Sequence, residues 1–497
     1  MPTRDLEISR RGAPLDMSAP EFRAAGHDLI DRIADWLERL PNGAIMRDES
    51  PGAVRRALDS ERTLPEQGGD AGALLGEAAQ LLFQHSLFNG HPRFLGYITS
   101  SPAPIGALAD LLAAAVNQNA AWWRLSPVAT EIEAQTVRWL AELTGFPADG
   151  DGLLVSGGNM ANFVCFLAAR AAKAGDVRKG GLRSVAPMFV YASTETHTWI
   201  QKAADMSGLG TDAIRWIETD ADQRLNVAAL ERQIVADRAD GALPLLVVGT
   251  AGTVSTGAVD PLAEIAEVCR RHDIWFHVDG AYGALAARVP GTPEDLRALS
   301  DADSVAVDPH KWLYIPLEAS CAIVRRRGDL LRTFAYHPSY YHLDEEVTNF
   351  VDLGPQNSRG FRALKVWLAL RQAGRTGYER MIAEDIRVSQ HLYACVQQHP
   401  DFEALTQHLS ITTFRYVPSA LRHMVGTAEG EAHLQRLNQE LLSRVERSGE
   451  AFLSNAVVNG RYALRACIVN FRTTQADVEA VLPLLTRLGA DIRSTGR

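Results

Sequence analysis

The sequence predicts an α/β protein built around a mainly parallel, seven-stranded sheet. From Gly152 onward, short apolar segments alternate with segments of helical pattern. This alternation is typical of parallel strands joined by crossover helices, with both faces of the sheet covered. In such sheets ligands bind at the carboxyl ends of the strands. The predicted strands cover residues 153–156, 188–192, 214–217, 245–249, 274–279, 304–307 and 319–325.

Two smaller units are predicted to flank this sheet. Apolar side chains at helical spacing within residues 21–40 indicate an amphipathic helix, which needs a surface to lie against. That surface is either the same chain or a partner subunit. The predicted units are an N-terminal helical arm for dimerisation (1–100), a large domain (101–376) and a smaller C-terminal α+β domain (377–497).

Composition excludes several classes of function. The chain has 497 residues, 46% of them hydrophobic and 22% charged, which is ordinary for a soluble protein. A net charge of −10 argues against a nucleic-acid partner. The five cysteines have no paired spacing, which indicates a reducing compartment and neither disulfides nor a metal site. No signal peptide and no apolar run of roughly 18 residues are seen, so we expect a cytoplasmic protein with no membrane partner.

The first candidate functional residue is Lys311, in the segment SVAVDPHKWLY (304–314). Pro309 should end the strand and leave Lys311 on a loop just beyond it. A lysine amine there could form an imine with a carbonyl cofactor, and partial desolvation would favour its neutral, nucleophilic form. The alternative is a lysine that only extends from a surface beside Trp312.

A glycine-rich turn, Ser156-Gly157-Gly158-Asn159, leads from the first predicted strand into a helix. Two glycines allow backbone amides to approach an anion, and the helix N-terminus favours negative charge. This pattern is typical of a phosphate site, although a plain tight turn would have the same residues.

Two further side chains follow predicted strands. Asp279, in HVDGAYG, could pair with a protonated pyridine nitrogen, or it could cap the next helix. His197, in STETHTW, could stack on a planar cofactor and move protons, or it could be a hydrogen-bonded histidine of the core.

Together and in this order, these features resemble the fold-type I enzymes that use pyridoxal 5′-phosphate. More narrowly, the chain resembles the group II decarboxylases, which include the aromatic-L-amino-acid, histidine and glutamate decarboxylases. The resemblance runs from His91 to Trp367 and is carried by HPRF, SPVATEIE, HVDGAYG, DPHKW and RGFRALKVW. It implies a homodimeric lyase that decarboxylates a small-molecule L-amino acid to the amine and CO₂, with a mobile loop closing over the neighbouring subunit's site.

The resemblance also assigns roles to individual residues. Lys311 would form the Schiff base with the cofactor, and Asp279 would pair with its pyridine nitrogen. His197 would stack on one face of the ring, and Ala281 would lie on the other. The residues implied for the phosphate and its surroundings are Gly157, Gly158, Asn159, Ser156, His310 and Thr253.

One position departs from the family pattern. An ungapped count back from Lys365 places Phe350 where the family has a loop tyrosine that protonates the substrate carbon. Relatives with phenylalanine there include enzymes that form an aldehyde by decarboxylation coupled to oxidative deamination. The alternative is an error of register, in which case Tyr340 or Tyr341 supplies the hydroxyl.

The predicted substrate pocket contains Tyr97, Trp123 and Phe350, which favours an aromatic substrate. Two other functions remain open for the same scaffold. An aminotransferase would need an arginine for a second carboxylate, and the sequence patterns identify none. A non-catalytic binding module is disfavoured because Lys311, Asp279 and His197 are all present.

Overall fold

The structure, a computed structural model, describes residues 13–175, 177–337 and 347–495. Its N-terminal part is helical, and the first helix begins with a capping box formed by Ser18 and Glu21. The helices before the sheet are α1 (Ala19–Arg39), α2 (Pro51–Leu58), α3 (Ala71–His85), α4 (Pro104–Val116) and α5 (Pro127–Thr144).

The central sheet has seven strands in the order β1-β7-β6-β5-β4-β2-β3. β7 runs antiparallel to β1 and β6, and the other neighbours are parallel, which confirms the predicted mainly parallel sheet. The strands are β1 (Asp151–Val155), β2 (Met188–Ser193), β3 (Ile214–Ile217), β4 (Leu243–Thr250), β5 (Trp275–Asp279), β6 (Ser304–Val307) and β7 (Ser320–Val324). Each predicted strand falls on an observed one, because strands buried on both faces form unbroken apolar runs.

Helices cover both faces of this sheet and enclose two large apolar clusters. They are α6 (Gly157–Lys173), α7 (Val177–Gly180), α8 (Trp199–Met206), α9 (Val227–Ala239), α10 (Leu262–Arg271), α11 (Pro309–Trp312) and α12 (Asp329–Phe334). Lys311 therefore lies on a single helical turn and not on the predicted loop, because Pro309 starts a helix as readily as it ends a strand.

A long helix, α13 (Ala363–Gln398), connects the sheet to the C-terminal part of the chain. It is kinked at Gly374, whose φ of 65° and ψ of 170° are not helical. Before the kink the helix packs on α4 and α5, and after it on a second sheet. The predicted domain boundary at 376/377 lies beside this kink and stays a prediction.

The second sheet is antiparallel, with strand order β10-β11-β9-β8. The elements of this C-terminal part are β8 (Phe402–His408), β9 (Ile411–Tyr416), α14 (Ala428–Ser448), β10 (Ser454–Val458), β11 (Arg461–Cys467), α15 (Gln475–Glu479) and α16 (Val481–Thr495). Short 3₁₀ helices cover Leu40–Asn42, Trp123–Leu125, Leu182–Ser184, Thr211–Ala213, Gly283–Ala286, Glu294–Asp301, Phe350–Asp352 and Ser419–Met424. Across the described parts of the chain, no helix combines the length and apolar character needed to cross a membrane.

Candidate active site

A cavity of about 210 Å³ opens where the parallel strands end. The register places the ends of β4 and β5 side by side, with Thr250 paired to Asp279, and Asp279 pairs with Ala306 of β6. Seven of the predicted site residues line this cavity: Gly158, Asn159, His197, Asp279, Ala281, His310 and Lys311. The other lining residues are Ile98, Asn162, Thr250, Gly252, Val254, Tyr282 and Asp308.

Lys311 forms an ion pair with a carboxylate of its own motif. Its Nζ lies 3.0 Å from Oδ2 of Asp308, and the two side chains are 22% and 1% exposed. Burial acts to lower the pKa of Lys311, but the carboxylates of Asp308 and Asp279 outweigh it and hold that pKa above its usual range. Desolvation thus favours the neutral amine, as expected, but in the protein without cofactor the two buried carboxylates outweigh it and stabilise the ammonium.

Asp279 is held by two donors at the end of β5. Its Oδ2 accepts a hydrogen bond of 2.7 Å from the indole Nε1 of Trp199, and its Oδ1 accepts one of 3.2 Å from the backbone N–H of Ala281. The carboxylate also lines the cavity, so it can face a cationic group there.

His197 reaches the cavity from the turn that follows β2. Its Nδ1 accepts a hydrogen bond of 3.2 Å from the backbone N–H of Trp199, which leaves the ring proton on Nε2. Burial lowers the pKa of His197, against the opposing effect of Asp279. The imidazole is therefore neutral near pH 7 and can lie against an aromatic ring without a charge of its own.

The glycine turn presents the N-terminus of α6 to the cavity. Gly157 has a φ of +67°, a conformation that suits glycine. A Cβ atom at Gly158 would lie 2.6 Å from Oδ2 of Asp308, so only glycine fits beside that carboxylate. Backbone amides at the start of a 17-residue helix are donors for an anion such as a phosphate.

This set of residues fits pyridoxal phosphate. The cavity holds one lysine for an aldehyde, a carboxylate for a pyridine nitrogen and a helix N-terminus for a phosphate. It also contains a buried hydroxyl, Oγ1 of Thr250, and a buried oxygen, Oδ1 of Asp308, neither of which has a hydrogen-bond partner among the described residues. Buried polar atoms of this kind are satisfied when a polar ligand binds.

Three predicted cofactor residues, Ser156, Gly157 and Thr253, do not line the cavity. Ser156 caps α6 without a side-chain hydrogen bond to the helix. Thr253 is fully buried, and its hydroxyl pairs with that of Thr256 at 3.0 Å. The neighbouring Val254 lines the cavity in its place.

The three predicted substrate-pocket residues do not line the Lys311 cavity of the same chain. Tyr97 is 57% exposed and packs on Phe452, with ring centroids 5.7 Å apart. The Trp123 indole donates to Glu131. Ile98, the residue after Tyr97, lines the cavity, whereas Tyr97 itself lies in a turn with a φ of +53°.

Phe350 is a core residue of its own chain. It is 1% exposed in a 3₁₀ helix, and the guanidinium carbon of Arg359 lies 4.8 Å from its ring centroid. The alternative candidates, Tyr340 and Tyr341, lie outside the described residues.

Several residues at the site were missed, and the sequence contained a signal for three of them. Asp308 precedes Lys311 by three residues, the spacing of one helical turn, and Asn162 follows Gly158 by four. Thr250 ends β4, whose predicted end was one residue too early. For Trp199, which directly contacts Asp279, an aromatic residue after His197 gave no signal beyond ordinary core packing.

Comparisons with known proteins agree with this geometry. Residues 51–417 match the pyridoxal-dependent decarboxylase conserved domain. The chain is 32% identical over 484 residues to an aromatic-L-amino-acid decarboxylase of Bacillus atrophaeus, covering 96% of this chain and 97% of that protein. It is 29% identical over 460 residues to a phenylacetaldehyde synthase of Petunia hybrida, covering 90% of each chain.

Mouse cysteine sulfinic acid decarboxylase is similar in both sequence and structure. The two chains are 30% identical over 477 residues, covering 94% of this chain and 93% of the mouse protein. The crystal structure of mouse CSAD superposes with a TM-score of 0.89 and covers 95% of this chain and 99% of that one.

Proposed function

The chain belongs to the pyridoxal-dependent decarboxylase family and is a pyridoxal-phosphate-dependent amino-acid decarboxylase, and from that premise we propose that its substrate is an aromatic L-amino acid. The observation that carries this proposal is the charge of the cavity. Within residues 13–175, 177–337 and 347–495, Lys311 is the only lysine or arginine that lines it. A substrate with an acidic side chain would find no second cation, whereas Ile98 and Val254 offer apolar surface to an aromatic one.

Pyridoxal phosphate supplies an aldehyde that condenses with amines and a ring that accepts the electron pair left when CO₂ departs. We propose that Lys311 binds the aldehyde and that Gly158 and Asn159, at the N-terminus of α6, hold the phosphate. Asp279 would keep a proton on the pyridine nitrogen, because a buried carboxylate favours a cation beside it.

The remaining proposed roles concern orientation and proton position. His197 and Ala281 would contact the cofactor ring, and the neutral His197 would carry its proton on Nε2. Asp308 holds a proton at Lys311 Nζ when that amine is free. His310 would lie near the phosphate, with its Nδ1 fixed 2.7 Å from the carbonyl oxygen of Ala319.

We also propose that the protein is a homodimer. Helix α1 is amphipathic but has no buried residue, because its apolar side packs on α3, with the ring of Trp36 stacked on that of Phe83, and stays partly exposed within one chain. Exposed apolar side chains lie on α1 (Phe22), on α3 (Leu82) and on α4 (Leu108, Leu111, Leu112 and Val116). Tyr97 and Trp123 are proposed to meet substrate across this interface.

Sedimentation tests the dimer. Wild type should sediment at twice the chain mass, and the double variant Leu111→Asp/Leu112→Asp should shift toward monomer. Val235→Asp is the matched control, because Val235 is 54% exposed on α9 and should leave the mass unchanged. A wild-type protein that sediments as a monomer would contradict the proposal.

A cytoplasmic location is proposed from the cysteines. All five are free thiols, and four of them are buried. Thiols kept reduced fit a reducing compartment. Cell fractionation with an antibody against the chain checks this, and recovery outside the cytoplasm would contradict it.

A second candidate activity is formation of an aldehyde, favoured by Phe350 and by the similarity to phenylacetaldehyde synthase. The buried position of Phe350, against Arg359, gives it no contact with the Lys311 cavity of its own chain. We therefore propose decarboxylation to the amine as the main activity.

One experiment separates these activities. Cofactor-loaded protein is incubated with L-tryptophan, L-tyrosine, L-phenylalanine and L-cysteine sulfinate while CO₂, hydrogen peroxide and ammonia are followed together. We expect CO₂ from an aromatic substrate without peroxide. Matching amounts of peroxide and ammonia would establish the aldehyde-forming reaction, and CO₂ from cysteine sulfinate alone would overturn the aromatic substrate.

A further inference from the structure

Trp199 contacts both Asp279, which is proposed to pair with the pyridine nitrogen of the cofactor, and His197, which is proposed to lie against its ring. It is the first residue of α8, two residues after His197, and it is 1% exposed. Its indole Nε1 donates to Asp279 at 2.7 Å, and its backbone N–H donates to Nδ1 of His197 at 3.2 Å. Trp199 therefore contacts both Asp279, proposed for the edge of the cofactor ring, and His197, proposed for one face of that ring.

The indole N–H determines which way the Asp279 carboxylate can turn. Within the described part of the chain, the other hydrogen bond to Asp279 comes from the backbone of Ala281 and binds the opposite oxygen. One hydrogen-bond donor on each oxygen prevents the carboxylate of Asp279 from rotating about its Cβ–Cγ bond. A short hydrogen bond to a charged oxygen is also among the strong ones in proteins.

The indole itself is held in place by the polar residues behind it. Its ring meets the imidazole of His277 edge-on, with centroids 5.6 Å apart and an angle of 86° between the planes. The imidazole of His277 is hydrogen-bonded to Ser304 Oγ at 2.9 Å and to Asn162 Oδ1 at 2.7 Å. Burial lowers the pKa of His277 to about 4, so it carries no charge that could compete for Asp279 near pH 7.

This arrangement continues to the glycine turn. Asn162, which binds His277, also donates through Nδ2 to the carbonyl oxygen of Gly158 at 3.0 Å. The carboxylate at the end of β5 and the proposed phosphate site at the start of α6 are thus joined through Trp199, His277 and Asn162. A shift of the Trp199 indole would therefore displace both the Asp279 carboxylate and the backbone of the glycine turn.

We propose that Trp199 is a positioning residue that acts through Asp279. Its indole N–H aims the carboxylate at the pyridine nitrogen of the cofactor, and its backbone N–H keeps the His197 proton on Nε2. This inference rests on the proposed role of Asp279. Trp199 itself does not line the cavity, so its effect on the cofactor is indirect.

The test uses Trp199→Phe, which keeps an aromatic ring in the core and removes the N–H donor. We expect cofactor affinity of the cofactor-free protein, measured by equilibrium dialysis, to fall about tenfold, the loss typical of one hydrogen bond to a charged group. The pH at which the bound cofactor changes its absorbance should also shift, and kcat should fall more than KM rises.

Trp367→Phe is the matched control. The Nε1 of Trp367 donates to Oε1 of Gln135 at 2.7 Å, so the same substitution removes an indole N–H that takes no part in the contacts among Asp279, Trp199 and His277. We expect a comparable loss of thermal stability from this variant, with cofactor affinity and the absorbance titration unchanged. Equal changes in both variants would overturn the proposal, because they would show a general packing effect.

A second measurement does not depend on the Trp199 variant folding well. In wild-type protein labelled with ¹⁵N-tryptophan, the indole N–H signals of Trp199, Trp123 and Trp312 should be shifted downfield, because these groups donate to Asp279, Glu131 and Asp385. One of the downfield signals should move upfield in Asp279→Asn while the others stay. If none of them moves, Trp199 does not bind Asp279 and the inference fails. If Asp279→Ala binds cofactor and turns over as wild type does, the proposed role of Asp279 itself has failed.

Discussion

Lys311 and Asp308 form a buried ion pair within one turn of helix, with Nζ 3.0 Å from Oδ2. The amine proposed to bind the cofactor is thus held as an ammonium until the cofactor arrives, since Asp308 and Asp279 raise its pKa. Only the neutral amine attacks an aldehyde. The carboxylates that position Lys311 therefore also limit how fast it can react.

Asp308→Asn should accelerate cofactor uptake at neutral pH. Removing a negative charge beside the ammonium lowers the pKa of Lys311, so the midpoint of the pH dependence of uptake should move down. The measurement is the rate of cofactor absorbance change after mixing cofactor-free protein with pyridoxal phosphate from about pH 7 to about pH 12, because the pKa of Lys311 in the wild type lies above its usual range. Asp273→Asn, which breaks the surface pair with Lys173, should leave the midpoint in place. A midpoint that rises in Asp308→Asn would contradict the role of the ion pair.

Lys311→Ala should abolish the covalent link to the cofactor. In wild type we expect an absorbance band that borohydride bleaches, since reduction fixes the lysine–cofactor bond. The variant should bind cofactor without this band. Mass spectrometry of the reduced wild type provides the check, with the added mass on the peptide that contains Lys311. A borohydride-sensitive band that persists in the variant would show that another amine binds the cofactor.

The strands were predictable because consecutive residues determine their burial. In β5 and β6 every residue is buried, and an unbroken, mainly apolar run of this length is typical of a strand covered on both faces. The position of the residues after these strands was equally predictable, because parallel strands bring their carboxyl ends to one edge. His197, Asp279 and Lys311 lie in one cavity for that reason.

The unpredicted part of the site depends on contacts between distant segments. Trp199 meets Asp279 only because β2 and β5 lie in the same sheet, and nothing next to Trp199 in sequence shows this. Phe350 illustrates the reverse case. Counting along the chain assigns it a position in a family pattern, but whether its ring faces a ligand or the core depends on Arg359, with which it packs.

Phe350→Tyr should lower stability without changing the products. The ring is 1% exposed, so an added hydroxyl would be buried at a cost of about 1–3 kcal/mol unless it finds a partner. We expect a lower thermal midpoint and an unchanged ratio of peroxide to CO₂. Phe350→Leu, which adds no polar group, serves as the control for altered packing. If the tyrosine variant changes the ratio of peroxide to CO₂ and the leucine variant does not, residue 350 determines the reaction. That result would support the aldehyde-forming activity, against which the buried position of Phe350 argues.

Asp385→Asn should stabilise the protein at alkaline pH. Oδ2 of Asp385 accepts hydrogen bonds of 2.8 Å from Trp312 Nε1 and from the Tyr314 hydroxyl, on either side of Leu313. Burial raises the pKa of Asp385 to about 8, despite these two donors. The folded protein therefore keeps this proton up to about pH 8, whereas the unfolded chain loses it near its ordinary value of about 4.

The sign of the effect follows from this difference in proton binding. The stability that the Asp385 carboxyl contributes is complete below about pH 4 and is lost as the pH rises through about 8. An asparagine oxygen can accept the same two hydrogen bonds and has no charge to bury. We expect Asp385→Asn to raise the thermal midpoint at about pH 9 by a few degrees, roughly 1–3 kcal/mol, and to change it little at about pH 4. An equal gain at both values would show that the carboxyl is not the group that titrates.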